Sequence, residues 1–284
     1  MSRYFPSAAL VLHASYDRAF QTPSLNNILL SSSPAVLSLN PSVLRLPVEP
    51  SRANYYEAGL TEAFLGKFKL DANYFRRLLN NFADDDQLLN TGVSFPIAFR
   101  KAIIYGAEAR LDLPQWRGLS GFASYSYTVG NAWFPVVGGL FLGQDAINDT
   151  TQVSGHFPDS QDQRNTVRFR TRYDVAPRLW IAGGAQYGSG LPFDFNGAPA
   201  LALAEYGPKV VDRVNFNRGR VRPSLSVDIS LGGEIYKSDF LAMRMQFDAE
   251  NLNNRLNVID FGGLFSGNAI APPRSYSVRL SAIF

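Results

Sequence analysis

An all-β fold, an antiparallel transmembrane β-barrel with about ten strands, is what three features of this 284-residue chain predict. The final eleven residues, R-S-Y-S-V-R-L-S-A-I-F, alternate polar and apolar side chains to the last residue and end on an aromatic. Similar alternation recurs in about ten segments, joined alternately by short and long connections. No run of roughly 18 apolar residues occurs, so a helical span is excluded, and helical pumps and transporters with it.

The strand candidates are 8–17, 54–65, 67–78, 101–111, 117–129, 164–175, 177–187, 222–232, 239–249 and 274–284. In 117–129, Leu119, Ala123, Tyr125, Tyr127 and Val129 oppose Ser120, Ser124, Ser126 and Thr128. The strongest case is 164–175. There Arg164, Thr166, Arg168, Arg170, Arg172 and Asp174 face one way, and Val167, Phe169, Thr171, Tyr173 and Val175 the other. Four arginines on one strand face cannot enter a soluble core without partners; a barrel lumen holds them, as would a solvent-edge strand. In 222–232, Leu225, Val227, Ile229 and Leu231 oppose Ser224, Ser226, Asp228 and Ser230, and in 239–249 Leu241, Met243, Met245 and Phe247 oppose Arg244, Gln246 and Asp248. In 274–284, Tyr276, Val278, Leu280, Ala282 and Phe284 oppose Ser275, Ser277, Arg279 and Ser281.

The expected turns are Leu65-Gly66-Lys67, Leu113-Pro114-Gln115-Trp116, Val175-Ala176-Pro177-Arg178 and Gly232-Gly233-Glu234. The long connections, about 18–53, 79–100, 130–163, 188–221 and 250–273, are rich in Asn, Asp, Pro, Gly and Ser and are expected to be irregular. Within them, 140–147 is expected to be either a short helix over the barrel mouth or irregular. Short periplasmic turns alternating with long extracellular loops put the C-terminus on the periplasmic side.

Composition narrows the function. Hydrophobic residues make up 46%, ordinary for a soluble protein, because a spanning strand carries apolar residues only at alternate positions. Aromatics at 13% suit interfacial girdles, and Trp116, Trp133 and Trp180 are interface candidates. The absence of cysteine removes thiolate and zinc-cysteine chemistry, and two histidines, His13 and His156, cannot build a multi-histidine metal site. Ser154, Gly155 and His156 lack the third group and oxyanion donors that a hydrolase needs, so no enzyme and no cofactor are expected. The net charge of +3 is dispersed along strands instead of gathered in one block, which argues against nucleic acid as a partner. Residues 1–9 hold no apolar stretch of signal-peptide length, so an outer-membrane protein with this N-terminus is expected to be either mature or incomplete.

Several segments resemble the C-terminal β-barrel portion of TonB-dependent outer-membrane receptors, especially the large relatives with a carboxypeptidase-regulatory-like domain. Ser15-Tyr16-Asp17-Arg18-Ala19-Phe20-Gln21-Thr22-Pro23-Ser24 resembles the family's S-Y-x-R-x-F-R-x-P-S, with Gln21 in place of arginine. Tyr56-Glu57-Ala58-Gly59-Leu60 resembles Y-E-x-G-x-K, and Asp162-Gln163-Arg164-Asn165 resembles D-Q-R-H. Tyr187-Gly188-Ser189-Gly190-Leu191-Pro192-Phe193 matches Y-G-S-G-x-P-F, and Glu250-Asn251-Leu252-Asn253-Asn254 resembles x-N-L-F-N. Their order and spacing span essentially all of 1–284, as a receptor barrel without a plug domain. The resemblance implies a family barrel of about 22 strands around an N-terminal plug, driven by the inner-membrane TonB complex and importing scarce or bulky solutes. Lipid, plug and TonB complex would be the partners and the cell outer membrane the location. No binding element for plug or TonB is visible in these residues, so coupled import by this chain alone is not expected.

Two functions follow. One is the barrel of a TonB-dependent uptake receptor, probed by its loops and traversed along its lumen. The other is a small self-closed barrel of about ten strands acting as a passive pore or structural protein. Candidate lumen residues are Arg164, Arg168, Arg170, Arg172, Asp174, Asp228, Arg244 and Asp248; they either touch a plug or solute or form an internally paired, solvated wall. Candidate extracellular-mouth residues are Tyr16, Arg18, Phe20, Tyr187 and Phe193, whose aromatics serve equally well as interface anchors.

Overall fold

The computed structural model describes residues 1–22, 44–46, 49–87, 94–142, 155–193, 198–261 and 269–283. Its dominant element is one antiparallel sheet. The long strands are β2 (Leu10–Gln21), β4 (Ser51–Phe64), β5 (Phe68–Gln87), β6 (Ser94–Trp116), β7 (Leu119–Leu142), β9 (Asn165–Ala176), β10 (Leu179–Gly188), β13 (Ser224–Lys237), β14 (Ala242–Glu250) and β17 (Ser275–Ile283). A short β1 (Ser2–Phe5) flanks β2, and β3 (Leu44–Leu46) and β8 (His156–Pro158) pair with β7. The sheet path runs β1-β2-β4-β5-β6-β7-β9-β10-β13-β14-β17, each strand beside its sequence neighbour, and no ladder joins β17 to β1 or β2 among the described residues.

Each of the ten expected segments lies on one of the ten long strands, because period-2 alternation fixes which side chains share a face. Cross-strand partners stand on the same face, and the registers carry the alternation across the sheet. One row reads Ser120, Arg172, Ala182, Ser230, Asp248, Ser277; the row beside it reads Leu119, Tyr173, Ile181, Leu231, Phe247, Val278. The apolar face is uncovered: Tyr173, Ile181, Leu231, Phe247 and Val278 are all exposed. So broad an uncovered apolar face marks an interaction surface in a folded protein.

Several boundaries differ from those expected. Strand β13 continues through Gly232-Gly233-Glu234, where a turn was expected, because these residues pair with Trp180 and Leu179 on one side and with 244–246 on the other. The reversal comes at Ser238, whose backbone N–H donates to the Leu241 carbonyl (2.8 Å) and whose Oγ accepts from the Leu241 N–H (3.1 Å). Likewise Leu113-Pro114-Gln115-Trp116 lies within β6 at a register irregularity that accommodates the proline, and the turn is Arg117-Gly118, both at positive φ. The turn at Leu65-Gly66 is as expected, again with positive φ at both residues.

The long connections are less irregular than their composition suggests. Much of 79–100 and 130–163 is strand, since β5, β6 and β7 run 20, 23 and 24 residues and extend well past the other strands. Leu140–Leu142 belong to β7, not to a helix; the rest of 140–147 lies outside the described residues. Connection 188–221 contains helix α1 (Pro199–Val211), kinked at the non-helical Gly207 (φ 76°) before Pro208, with β11 (Val214–Asn215) and β12 (Arg220–Val221), and 250–273 contains β15 (Val258–Asp260) and β16 (Ala269–Ile270). These two loops share one small core, in which Phe261, Ala202, Val214, Val221 and Val258 are buried and Phe193, Tyr206 and Phe216 pack around them. The Phe261 ring meets Phe193, Tyr206 and Phe216 edge-on at 5.6, 5.2 and 6.0 Å, the geometry aromatic quadrupoles favour.

The polar face as candidate functional site

The polar face of the sheet carries a set of short-range charge pairs. On β9, Arg168, Arg170, Arg172 and Asp174 all stand on it, since their register partners are Ser124, Phe122, Ser120 and their counterparts on β10. Arg170 Nη1 reaches Asp228 Oδ2 at 3.2 Å although β10 lies between their strands. The residue crossed is Gly184; a Cβ there would collide with the Arg170 guanidinium, so glycine opens the path. Asp228 also accepts from Ser226 Oγ (3.0 Å) and the Asn251 N–H (3.0 Å), tying the sheet to the last loop. Arg172 Nε donates to Asp174 Oδ1 (3.0 Å) while its guanidinium lies 4.6 Å from the Trp180 ring centre.

Asp248 accepts from Ser230 Oγ and from Gln246 Nε2 (2.8 and 3.0 Å). Arg244 stands opposite Glu234 and lines a cavity of about 490 Å³ near the short turns, with Arg172, Asp174, Trp180, Glu234 and Arg279. Arg168 lines a second cavity of about 440 Å³ with Asp71, Glu108 and Arg110. Arg110 and Lys69 are engaged by Asp112 (2.7 Å) and Asp71 (2.9 Å). His13 also lies on this face, 3.5 Å from Glu57.

Arg164 stands apart. It precedes β9 and pairs with the fully buried Asp162 (3.0 Å), which also receives Arg220 Nη2 at 2.6 Å. Sequence reasoning missed Arg220 and the role of Asp162. The segment D-Q-R-N therefore has a structural meaning: it anchors the loop carrying α1. It also meets the Y-G-S-G segment directly, because the Asn165 N–H donates to Ser189 Oγ (2.9 Å), the Ser189 N–H donates to the Asn165 carbonyl (2.9 Å), and the Gln163 side chain packs where a Cβ at Gly188 would sit. Asn253 of E-N-L-N-N, and Asn257 three residues beyond that segment, cap the backbone of Val227 and Leu225 where β14 no longer covers β13.

The mouth candidates do not converge. Tyr16, Arg18 and Phe20 stand on the apolar face of β2, in register with Tyr56, Asn54 and Arg52. Tyr187 is on the same face between Val167 and Leu225, and Phe193 belongs to the loop core. Trp116 and Trp133 lie on the apolar face at its opposite ends, beneath Lys67 Nζ (4.5 Å) and Lys101 Nζ (4.9 Å), whereas Trp180 is on the polar face. His156 stacks on Trp133 at 5.5 Å; Ser154 lies outside the described residues. Among the described residues no three His, Cys, Asp or Glu side chains gather as a metal site.

In the helix α1 loop, burial pushes the Tyr206 hydroxyl above its ordinary range, and a hydrogen bond with Glu205 adds to this. Burial pulls Arg213 down, with Arg255 adding repulsion.

Comparison with known proteins places this arrangement. No curated protein matches the chain. Solved structures do: the ferric-catecholate import receptor Fiu from K12 E. coli in its closed form is 15% identical at a TM-score of 0.61, covering 97% of this chain and 33% of its own. The siderophore receptor PiuA from Acinetobacter baumannii is 16% identical at 0.61, covering 99% of this chain and 34% of its own. The copper transporter OprC is 12% identical at 0.60, with 99% and 39% covered. The chain thus spans between a third and two fifths of these structures, and at such identities the likeness is one of fold. The family model described as TonB dependent receptor-like, beta-barrel matches residues 2–252, and the chain belongs to that family.

Proposed function

We propose that this chain is part of the wall of a TonB-dependent uptake receptor in the bacterial outer membrane. The observation that carries the reading is the two-faced sheet: Tyr173, Ile181, Leu231, Phe247 and Val278 form one register row and Arg172, Ser230 and Asp248 the next. Lipid covers the first face and an aqueous or plug-filled lumen the second. An open sheet edge in lipid leaves backbone groups costing several kcal/mol each, so β17 is paired in the functional assembly.

In this role the arginine-carboxylate pairs do two jobs. Paired charges keep the lumen wall polar without a strong net field, and the less engaged Arg168 and Arg244 offer guanidinium forks to a plug or an anionic solute. The joint core of the two last loops, anchored by Asp162 and Arg220, holds the solute-facing end in one shape. Transport then needs a TonB-driven plug rearrangement before solute passes along the polar face.

Cell fractionation and in vivo cross-linking test this. The protein is expected in the outer-membrane fraction, shifting in gel mobility on heating, and to cross-link to TonB. A carbonate-soluble protein with no heat-dependent shift contradicts the reading. The self-closed small pore is not favoured, because among the described residues β17 and the β1-β2 end of the sheet share no ladder.

A further inference from the structure

Three arginines gather on the apolar face where lipid would be, apart from Arg3, which faces the same way nearer the short turns, opposite Leu12. Arg18 on β2 is directly opposite Asn54 on β4; Arg52 is two residues from Asn54 on the same strand face; Arg76 on β5 is opposite Tyr56, the other same-face neighbour of Asn54. Direct and diagonal cross-strand spacings put all three Cα positions within roughly 8 Å of Asn54. All three arginines are exposed. The carboxylate pairs that engage Arg110, Arg170 and Arg172 on the polar face have no counterpart here: no ion pair involves Arg18, Arg52 or Arg76 among the described residues. The outward positions of β2 from Leu10 to Phe20 and of β5 from Leu70 to Asn80 carry no acidic residue, Glu62 of β4 lies at the opposite end, and Glu49, just before β4, accepts from Asn81 Nδ2 at 3.0 Å.

The centre of the cluster is built rather than incidental. The Tyr16 hydroxyl donates to Asn54 Oδ1 at 2.9 Å, which occupies the acceptor of that amide and leaves its Nδ2 hydrogens outward. Tyr16 and Tyr56 pack ring to ring at 5.3 Å beneath it. The exposed polar atoms of the cluster are therefore almost all donors, three guanidinium forks and one amide, a set that suits phosphate oxygens.

Its height fits the same ligand. Arg18 and Arg76 lie eight residues from the short-turn ends of their strands, at Leu10 and Phe68, and Arg52 lies twelve from Phe64. At about 3.3 Å per residue and a strand tilt near 40°, these are roughly 20 and 30 Å above the turns. An apolar barrel band is about 25 Å tall, and arginine reaches several ångströms further by extending its head toward water. Between the cluster and the turns the face carries Leu12, Ala14, Ala58, Leu60 and Ala72, suited to acyl chains, with Glu62 and Arg3 the charged residues toward the short-turn end. At the midplane a lipid-facing arginine would cost about 2–4 kcal/mol, against about 0–1 near the interface.

The geometry points to a binding site for a phosphorylated lipid headgroup of the outward leaflet, with Arg18, Arg52 and Arg76 gripping phosphate and Asn54 donating between them. This rests on the outer-membrane reading above. The aromatic and arginine of the S-Y-x-R-x-F segment then serve the lipid face, not the solute mouth.

The test uses the full-length protein purified from outer membranes into nanodiscs, with native mass spectrometry counting bound diphosphoryl lipid A against its dephosphorylated analogue. The expected result is preferential binding of the diphosphoryl form, reduced at least about tenfold by the triple variant R18Q/R52Q/R76Q and unchanged by Lys237→Gln, an exposed cation at the short-turn end of β13. An unaltered heat-dependent mobility shift shows that the variant is folded. A milder probe, Asn54→Ala, keeps every charge and is expected to weaken the preference by a few-fold. Equal binding by wild type and triple variant, equal binding of both lipids, or displacement of the lipid by millimolar inorganic phosphate overturns the proposal. A wild-type protein that never enters the outer membrane overturns the underlying reading as well, and is seen before any lipid is added.

Discussion

The Asp162 carboxylate, fully buried, receives the Arg220 guanidinium at 2.6 Å across 58 positions of sequence. This contact fastens the loop carrying α1 to the start of β9, and Arg164 grips the same carboxylate from the other side. Removing the carboxylate strips the half-buried Arg220 and the more exposed Arg164 of the partner they share.

Asp162→Ala is therefore expected to cost about 3 kcal/mol of local stability. Trypsin cutting within 198–222 should accelerate by two orders of magnitude, while the heat-dependent mobility of the sheet stays unchanged. Unaltered cutting would show that the pair does not hold the loop.

Phe261→Ala removes the centre of the loop core, a loss of roughly 3–5 kcal/mol where a buried Phe is truncated. Amide exchange should quicken together in α1, β11, β12 and β15, because one core serves both loops. Quickening confined to 258–270 would mean that the two loops are independent.

Asp228→Ala deprives Arg170 and the Asn251 N–H of a shared acceptor. The expected cost is about 1–3 kcal/mol, seen as faster exchange at Asn251 and greater thermal mobility at the loop end of β13. Gly184→Val should release Arg170 from Asp228 in the same way by blocking its path, and Asp228 would keep its Asn251 bond.

The sheet was legible from alternation alone because period 2 is a strong signal wherever each face meets one environment. The two misplaced turns have a physical cause. Gly232 makes room for the Trp180 ring that lies against it, so the glycines mark a close approach and not a reversal. The true reversal, Ser238 to Leu241, contains neither Gly nor Pro and closes through a serine hydroxyl. Helix α1 was hidden because P-A-L-A-L-A reads as well in period 2 as in a helical turn; Pro199 in its first turn was the available signal. The face of Tyr16 and Arg18 was within reach, since counting in twos from Leu10, Leu12 and Ala14 arrives at both. Arg220 was not, as nothing local to either residue announces a pair that only tertiary folding makes.

The central claim is that lipid meets one face of this sheet and water or a plug the other. The chain has no cysteine, so single cysteines at 167–174 can carry spin labels without background. Collision with oxygen, which concentrates in lipid, and with a nickel chelate, which stays in water, reads each face in the membrane-inserted protein. The account predicts strict period-2 alternation, with 167, 169, 171 and 173 favouring oxygen and 168, 170, 172 and 174 the chelate. Comparable chelate access at both sets would contradict it.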